Sequence, residues 1–347
     1  MLVRLFALGF CLLVIVGLFG GPIVSGAVLM VLLPAQQPPA EHDLPDDYEP
    51  LHKGHVSLDL GLYFRMNEDL IVRGTPPLVL RRTYISGYRV SEEFGIGTRH
   101  ADEWQLNGDG KDFQWARLTR PGLYPVRFER ISPGRSVSNA MYQHRSTPDE
   151  WQGARLGWTG IDWAVRRSDG SLFRFRACGP DEKSVCSIVQ QRDVDGHVID
   201  YKRDRAGRLL KIEAAGDRWI AFEYDEKDRI ARAHDSTKRD VRYEYDDRGR
   251  LVHVKAGDGI VHRYTYTDRD ELETIVEPGT NIENTYDRHG RCIRQVNYYD
   301  DGEPFVFDFT YTLEGSKVVQ TESRRSDGTW TVYSFDKSGF TTSETWG

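Results

Sequence analysis

The 347-residue sequence predicts an all-β protein, and three observations carry that reading. Apolar and aromatic residues alternate with polar ones along short runs, as in Val241-Arg-Tyr-Glu-Tyr245 and Ile260-Val-His-Arg-Tyr-Thr-Tyr266, which is the period of a half-buried strand. Clusters rich in Gly and Asp separate the runs, as hairpin turns require. Signals for helix are scarce after residue 40.

The hairpin from Val241 to Tyr266 recurs. Aligning the chain on the residue that opens each turn puts Tyr201, Tyr224, Tyr245, Tyr266, Tyr286, Tyr311 and Phe335 in register, at intervals of 23, 21, 21, 20, 25 and 24 residues. The turn-opening pair is intact at Tyr224-Asp225, Tyr245-Asp246, Tyr286-Asp287 and Phe335-Asp336. A period of this length marks a repeat architecture, in which one unit cannot bury its own apolar face and stacks on the next. Within a unit, Asp246 can accept hydrogen bonds from the turn backbone, and Gly249, like Gly290 later, can take the positive φ of a short loop. These residues are expected as turn makers, while the Tyr before the turn and Leu209 or Leu251 after it pack on the neighbouring unit.

The pattern Tyr-Asp-x-x-Gly-Arg-Leu, complete from Tyr245 to Leu251 and with losses from Tyr201 to Leu209 and Tyr286 to Cys292, resembles the YD repeats of the Rhs (rearrangement hot spot) family. Wall-associated bacterial proteins and the animal teneurins belong to the same family. The resemblance implies an antiparallel β-sheet that spirals into a shell, which in many bacterial members encloses a C-terminal toxin. Those shells resemble one another in a closing Asp-Pro-x-Gly-Leu junction that this sequence does not contain. The expectation is a short or orphan member with an open sheet and no cargo.

Ahead of the repeats, residues 54–178 read as the β-rich domain that commonly precedes Rhs repeats, from Val56-Ser-Leu-Asp-Leu60 through Leu78-Val-Leu80-Arg-Arg82-Thr-Tyr84. The usual Gly-x-Gly-Trp run is broken, since Trp104 lies seven residues beyond Gly97. The repeat ladder itself is assigned to residues 187–347. Five of the eight tryptophans fall between Trp104 and Trp163, and buried β-packing is the expected role, with sugar stacking as the alternative.

The amino-terminal end is of another kind. Leu5 to Leu33 is uncharged and long enough to span a bilayer, with Arg4 before it and Glu41, Asp43, Asp46, Asp47 and Glu49 after it. Residues 1–34 are expected as a signal anchor or a signal peptide cleaved near Ala35, which would place the folded part outside the cytoplasm, in the periplasm or at the cell surface. Gly17, Gly21 and Ser25 share one helix face there, a pattern that permits helix pairing but is also common without it. Residues 35–53 read as a Pro- and acid-rich linker.

A net charge of −7 argues against a nucleic-acid partner. Of the four cysteines, Cys178 and Cys186 bracket a short loop and are a candidate disulfide outside the cytoplasm. No catalytic motif, cofactor site or metal-binding pattern is recognised. Asn107 to Asp112 and Asp193-Val-Asp195-Gly196-His197 have the oxygen density of a cation loop but read better as turns. His42, His52 and His55 lie close in sequence, and His253 and His262 would face one another if Gly257-Asp258 forms a two-residue turn.

The sequence therefore points to a non-enzymatic, membrane-anchored structural or protein-interaction module of the cell envelope, with a toxin system as its context. Alternatives are a carbohydrate-binding or adhesion surface that uses Tyr243, Tyr264 and Trp330, and a hydrolase in the first β-domain. The strand Thr329 to Phe335 is expected to be an edge that is either capped within Gly339 to Gly347 or docked by a partner, a protein or a glycan.

Overall fold

The computed structural model describes residues 55–109, 114–120, 125–145, 150–176, 186–299, 302–336, 339 and 341–347. The expected membrane segment and linker lie outside the described residues. Among those described, no helix is long and apolar enough to cross a membrane. The fold is all-β, with one 3-10 turn at Val137–Asn139.

One antiparallel sheet organises the described chain. It starts with eight strands, Gln105–Gly108, Trp115–Thr119, Val126–Arg130, Met141–Gln143, Arg155–Trp158, Trp163–Arg166, Leu172–Phe175 and Cys186–Arg192, each paired with the next. The last of these comes back to the first, through Cys186 opposite Leu106 and Ser187 opposite Gln105, and closes a ring. Its other half, Gln190–Arg192, pairs on to Val198–Arg203. From there the sheet continues strand by strand to Thr341–Trp346. The outcome is a closed ring that unwinds into an open ladder, and the sheet continues on both sides of the boundary expected between residues 178 and 187. The edge strand Trp330–Phe335 is covered by Thr341–Trp346, with Val332 opposite Thr345.

The ring is filled by its own side chains. Phe128, Trp151, Leu156, Val165 and Ile188 are fully buried. Trp104 packs on Phe173 at 5.1 Å and on Trp151 at 6.0 Å. The tryptophan-rich stretch thus supplies core area.

Four successive units of the ladder share one local irregularity. The pairing register shifts by one residue at the repeat tyrosine, between Glu223 and Tyr224, Glu244 and Tyr245, Thr265 and Tyr266, and Thr285 and Tyr286. Such a bulge bends its strand, increases its twist and takes one residue out of the ladder. The tyrosine reaches the carbonyl of a residue beside the preceding bulge: the hydroxyls of Tyr224, Tyr245, Tyr266 and Tyr286 donate to the carbonyls of Leu209, Ile230, Leu251 and Leu272, at 2.7–2.8 Å. Each acceptor is the first strand residue after the preceding turn, so each bond ties one unit to the one before.

Residues 55–103 lie against the inner face of the ladder. Strands Phe64–Val72, Leu78–Ile85 and Thr98–His100 form a small sheet, and Ser91–Glu92 pairs with Gly95–Ile96 as a hairpin. Phe94 meets Tyr243 at 4.9 Å, His100 meets Phe222 at 5.5 Å and Tyr84 meets Tyr266 at 6.1 Å. The amides of the post-turn residues, turned out of the ladder by the bulges, point at this inner layer. Ile230 N donates to Glu93 O at 2.7 Å, Leu272 N to the Tyr84 hydroxyl at 2.8 Å, and Cys292 N to Gly61 O at 2.8 Å.

Two substitutions test the repeated unit. Tyr245→Phe leaves the Ile230 carbonyl without its donor and should cost about 1–2 kcal/mol in urea unfolding. Gly249→Ala, at a φ of 88°, should cost about 1–2 kcal/mol. Tyr299→Phe, at a half-exposed ring, should leave the midpoint unchanged.

Candidate functional site

The densest polar chemistry in the described residues lies in the seam between the inner layer and the ladder. In the run Leu78-Val-Leu80-Arg-Arg82-Thr-Tyr84, strand alternation turns Leu78, Leu80, Arg82 and Tyr84 to the buried side, so one of the four is a cation. Arg82 is satisfied by Asp69, with Nε 2.5 Å from Oδ2 and Nη2 2.9 Å from Oδ1. The Tyr243 hydroxyl donates to Asp69 Oδ2 at 2.7 Å. The rings of Tyr243 and Tyr264 lie 5.8 and 5.9 Å from the guanidinium. Burial alone would lower the Arg82 pKa, but Asp69 and the two phenols outweigh it and hold it well above the ordinary value.

A second centre adjoins it. Glu277 pairs with Arg65 and accepts from Asn67 Nδ2 at 3.0 Å and from the Tyr264 hydroxyl at 3.2 Å, while His262 Nδ1 stands 3.4 Å away. Burial would raise the Glu277 carboxyl, but His262 and Arg65 bring it down to about 2. His55 is pushed below its usual range by burial and then by Arg65. The recess lined by Arg65, Asn67, Arg82, Tyr84, Tyr264 and Tyr266 leaves room for about one water molecule. With each carboxylate held by an arginine, the arrangement fixes the inner layer to three ladder strands.

The turn residues form a second repeated set, on one rim of the ladder. Asp225, Asp246 and Asp287 each accept from the amides two and four residues on: Lys227 and Arg229, Arg248 and Arg250, His289 and Arg291. Their other oxygen holds the Nε of Arg229, Arg250 or Arg291 at 2.6–2.8 Å. Burial would raise these carboxyls, but the arginines and turn amides hold them below the usual range. Each arginine then lies over the tyrosine of a later unit: Arg229 over Tyr245 at 4.2 Å, Arg250 over Tyr266 at 5.2 Å and Arg291 over Tyr311 at 5.5 Å. Gly249 and Gly290 take φ values of 88° and 82°, and Asp228 and Asp270 adopt the same conformation at 60° and 66°. In the last unit Phe335 is buried and the Asp336 carbonyl accepts from Gly339 N at 3.1 Å.

Other residues singled out in the sequence fall as follows. Cys186 is disulfide-bonded and Cys292 is free and buried, while Cys178 lies outside the described residues. Asp193, Asp195 and His197 do converge. However, Asp193 Oδ1 already accepts from the amides of Asp195 and His197, at 3.0 and 2.8 Å, as the repeat turns do. His42, His52, Gly110 and Asp112 lie outside the described residues.

Two expectations are corrected. His253 does not face His262: the loop holds Gly257, Asp258 and Gly259, so His253 lies opposite Arg263 and Val254 opposite His262. The extra residue puts the two imidazoles on opposite faces of the sheet. Nor are Tyr243 and Tyr264 available to a sugar, since the inner layer leaves them 4% and 5% exposed. The sequence reading missed Arg65 and Glu277, which pair across 212 positions, and Asp69, which Tyr243 reaches across 174, although the buried-side parity of Arg82 was a usable signal.

Two family profiles match the chain: teneurin YD-shell over residues 181–298, and a domain of unknown function, DUF6531, over residues 53–128. No curated protein sequence matches it significantly. Among solved structures, the TcdB2–TccC3–Cdc42 crystal structure is similar at 11% identity and a TM-score of 0.37, over 75% of this chain and 15% of that one. The Tc holotoxin pore of Photorhabdus luminescens is similar at 13% identity and a TM-score of 0.34, over 78% of this chain and 15% of that one. The chain thus spans about 15% of the length of these structures.

Asp69→Ala strands the buried Arg82 charge and should cost about 3–5 kcal/mol in urea unfolding. Because the folded Glu277 carboxyl titrates below its unfolded value, its contribution is present above the ordinary carboxylate range and is lost as pH falls toward about 2. Glu277→Gln should therefore flatten the acid limb of stability against pH, measured as urea midpoints over that interval.

Proposed function

This chain is an Rhs/YD-repeat protein, and from that premise we propose that it is a non-enzymatic structural and protein-interaction module of the cell envelope. In this reading it is held at the membrane through residues 5–33, has its folded part outside the cytoplasm, and works alongside a toxin system. The observation that carries the structural role is the use of the repeat's own polar groups. Tyrosine hydroxyls and arginines are taken up in contacts between successive units, and turn carboxylates by the amides and arginine of their own turn. The inner face is occupied by residues 55–103, so the outer strands and turn rim are the surfaces offered to a partner. The uncharged run Leu5 to Leu33 and the bonded state of Cys186 support a location outside the cytoplasm. The toxin association rests on the family's toxin-bearing shells.

The test compares the full-length protein with one lacking residues 1–34. Full-length protein should sediment with membranes, resist alkaline carbonate extraction and be digested by protease added to intact spheroplasts, while the shortened form should be soluble. Recovery of full-length protein in the soluble fraction would remove the anchoring. A specific protein captured by both forms and identified by mass spectrometry would support the interaction role, and none captured by either would count against it.

A further inference from the structure

Four carboxyl groups gather where the inner layer passes into the ring: Glu92 and Glu93 on the small hairpin, Asp102 and Glu103 just before strand Gln105–Gly108. Two guanidiniums face them. Arg99 Nη2 lies 3.7 Å from Glu92 Oε1, Arg99 Nε lies 3.4 Å from Glu103 Oε2, and Arg203 Nη1 lies 4.0 Å from Glu93 Oε1. Arg203 is also engaged elsewhere, donating Nε to Ile188 O at 3.1 Å and Nη1 to Gly207 O at 3.0 Å. His100, fully buried and stacked on Phe94, is pushed down to about 3 by burial and then by Arg203, so it adds no charge. Arg81 also acts on Asp102 but is itself paired with Glu68, so full ionisation would set four negative charges against Arg99 and Arg203, a net −2 in a place where both Glu103 oxygens and Glu93 Oε2 are buried without a hydrogen-bond partner. An uncompensated buried charge is costly, and the least costly remedy is to keep a proton.

The cluster sits at a mechanical joint. The carbonyl of Glu93 accepts from Ile230 N at 2.7 Å, and Ile96 N donates to Gly249 O at 3.0 Å. These two bonds fasten the hairpin Ser91–Glu92/Gly95–Ile96 to the turn ends of two successive repeats. We propose that Glu93 and Glu103 share a proton and form a latch that holds this hairpin on the ladder, and that loss of the proton to a base in solution leaves two facing carboxylates and releases the hairpin.

The surrounding groups set the direction of the response. Burial pushes the Glu103 carboxyl well above its usual range and Glu93 and Glu92 push it further, against Arg99. Burial likewise raises Glu93, and raises Asp102 to about 6 against the Tyr201 hydroxyl, Arg203 and Arg81. Tyr88, Tyr201 and Tyr224 face the cluster and are raised by burial, so they remain protonated. A carboxyl raised in the folded state gives stability that is complete below its unfolded value and is lost as pH rises through its folded value. His100 acts in the opposite sense, but only below its unfolded value of about 6.5. An alkaline window therefore isolates the carboxyl pair.

The experiment is hydrogen exchange on the full chain between about pH 6.5 and about pH 9.5, corrected for the intrinsic rate, with the ring amide of Val165 as reference. Protection at Ile96 and Ile230 should fall at least about tenfold across the window, the equivalent of one pKa unit of linkage, while Val165 holds. Glu103→Gln, which carries a permanent donor, should keep both amides protected throughout, and Glu93→Gln serves the same purpose if that variant does not fold. Flat protection in the unaltered protein, an equal fall at Val165, or an unchanged slope in a folded Gln variant would overturn the latch.

Discussion

A phenol hydroxyl donating to a peptide carbonyl is the interaction on which the ladder depends. In an ordinary antiparallel sheet the post-turn carbonyl would be used by the neighbouring strand. Here, beside the bulges at Tyr224, Tyr245, Tyr266 and Tyr286, that carbonyl is taken instead by the hydroxyl of the next unit's tyrosine. The bulge supplies bend and twist, and the tyrosine keeps the bend from costing an unsatisfied polar group. Repeating that exchange at a period near 21 residues makes curvature a property of the unit rather than of any global contact.

The same bulge prepares the inner face. The post-turn residue beside the skipped one turns its amide and its carbonyl to different partners outside the ladder. The carbonyl is used by the next repeat, whereas the amides of Ile230, Leu272 and Cys292 are used by residues 55–103. Inner layer and ladder are therefore matched through ladder amides, two of which meet backbone carbonyls that side-chain substitution leaves in place, and the third the Tyr84 hydroxyl. The Arg65–Glu277 pair adds a point of register, since a slip of one layer against the other would leave a buried charge without its counterpart.

Much of the local structure was legible in the sequence. The alternation, the period and the Asp and Gly of the turns all act over a few residues, and Tyr245-Asp246-Asp247-Arg248-Gly249-Arg250 carries its own instructions. What could not be read were the partners that meet across the fold. Arg65 and Glu277 are separated by 212 positions and Tyr243 and Asp69 by 174, and no local pattern links them. The bulges and the loop lengths were hidden for another reason: a single extra residue, whether in a strand or in the turn between His253 and His262, changes which side chains face inward without changing composition. Asp228 and Asp270 show a related limit, since both adopt the backbone conformation that glycine signals elsewhere.

The nesting of residues 55–103 inside strands that follow them has a consequence for synthesis. The Leu58 carbonyl is used by the Thr321 hydroxyl, 263 residues later. At bacterial or eukaryotic elongation rates of about 5–20 residues per second, Leu58 waits roughly 10–50 s after leaving the ribosome before that partner is made. During that interval a segment rich in Val, Leu and Tyr has no ladder to lie on, whereas the ring and each repeat can pair with the strand just completed. Assembly thus runs in one direction for the sheet and in the other for its contents, and residues 55–103, made before the strands that cover them, are among the last to be buried.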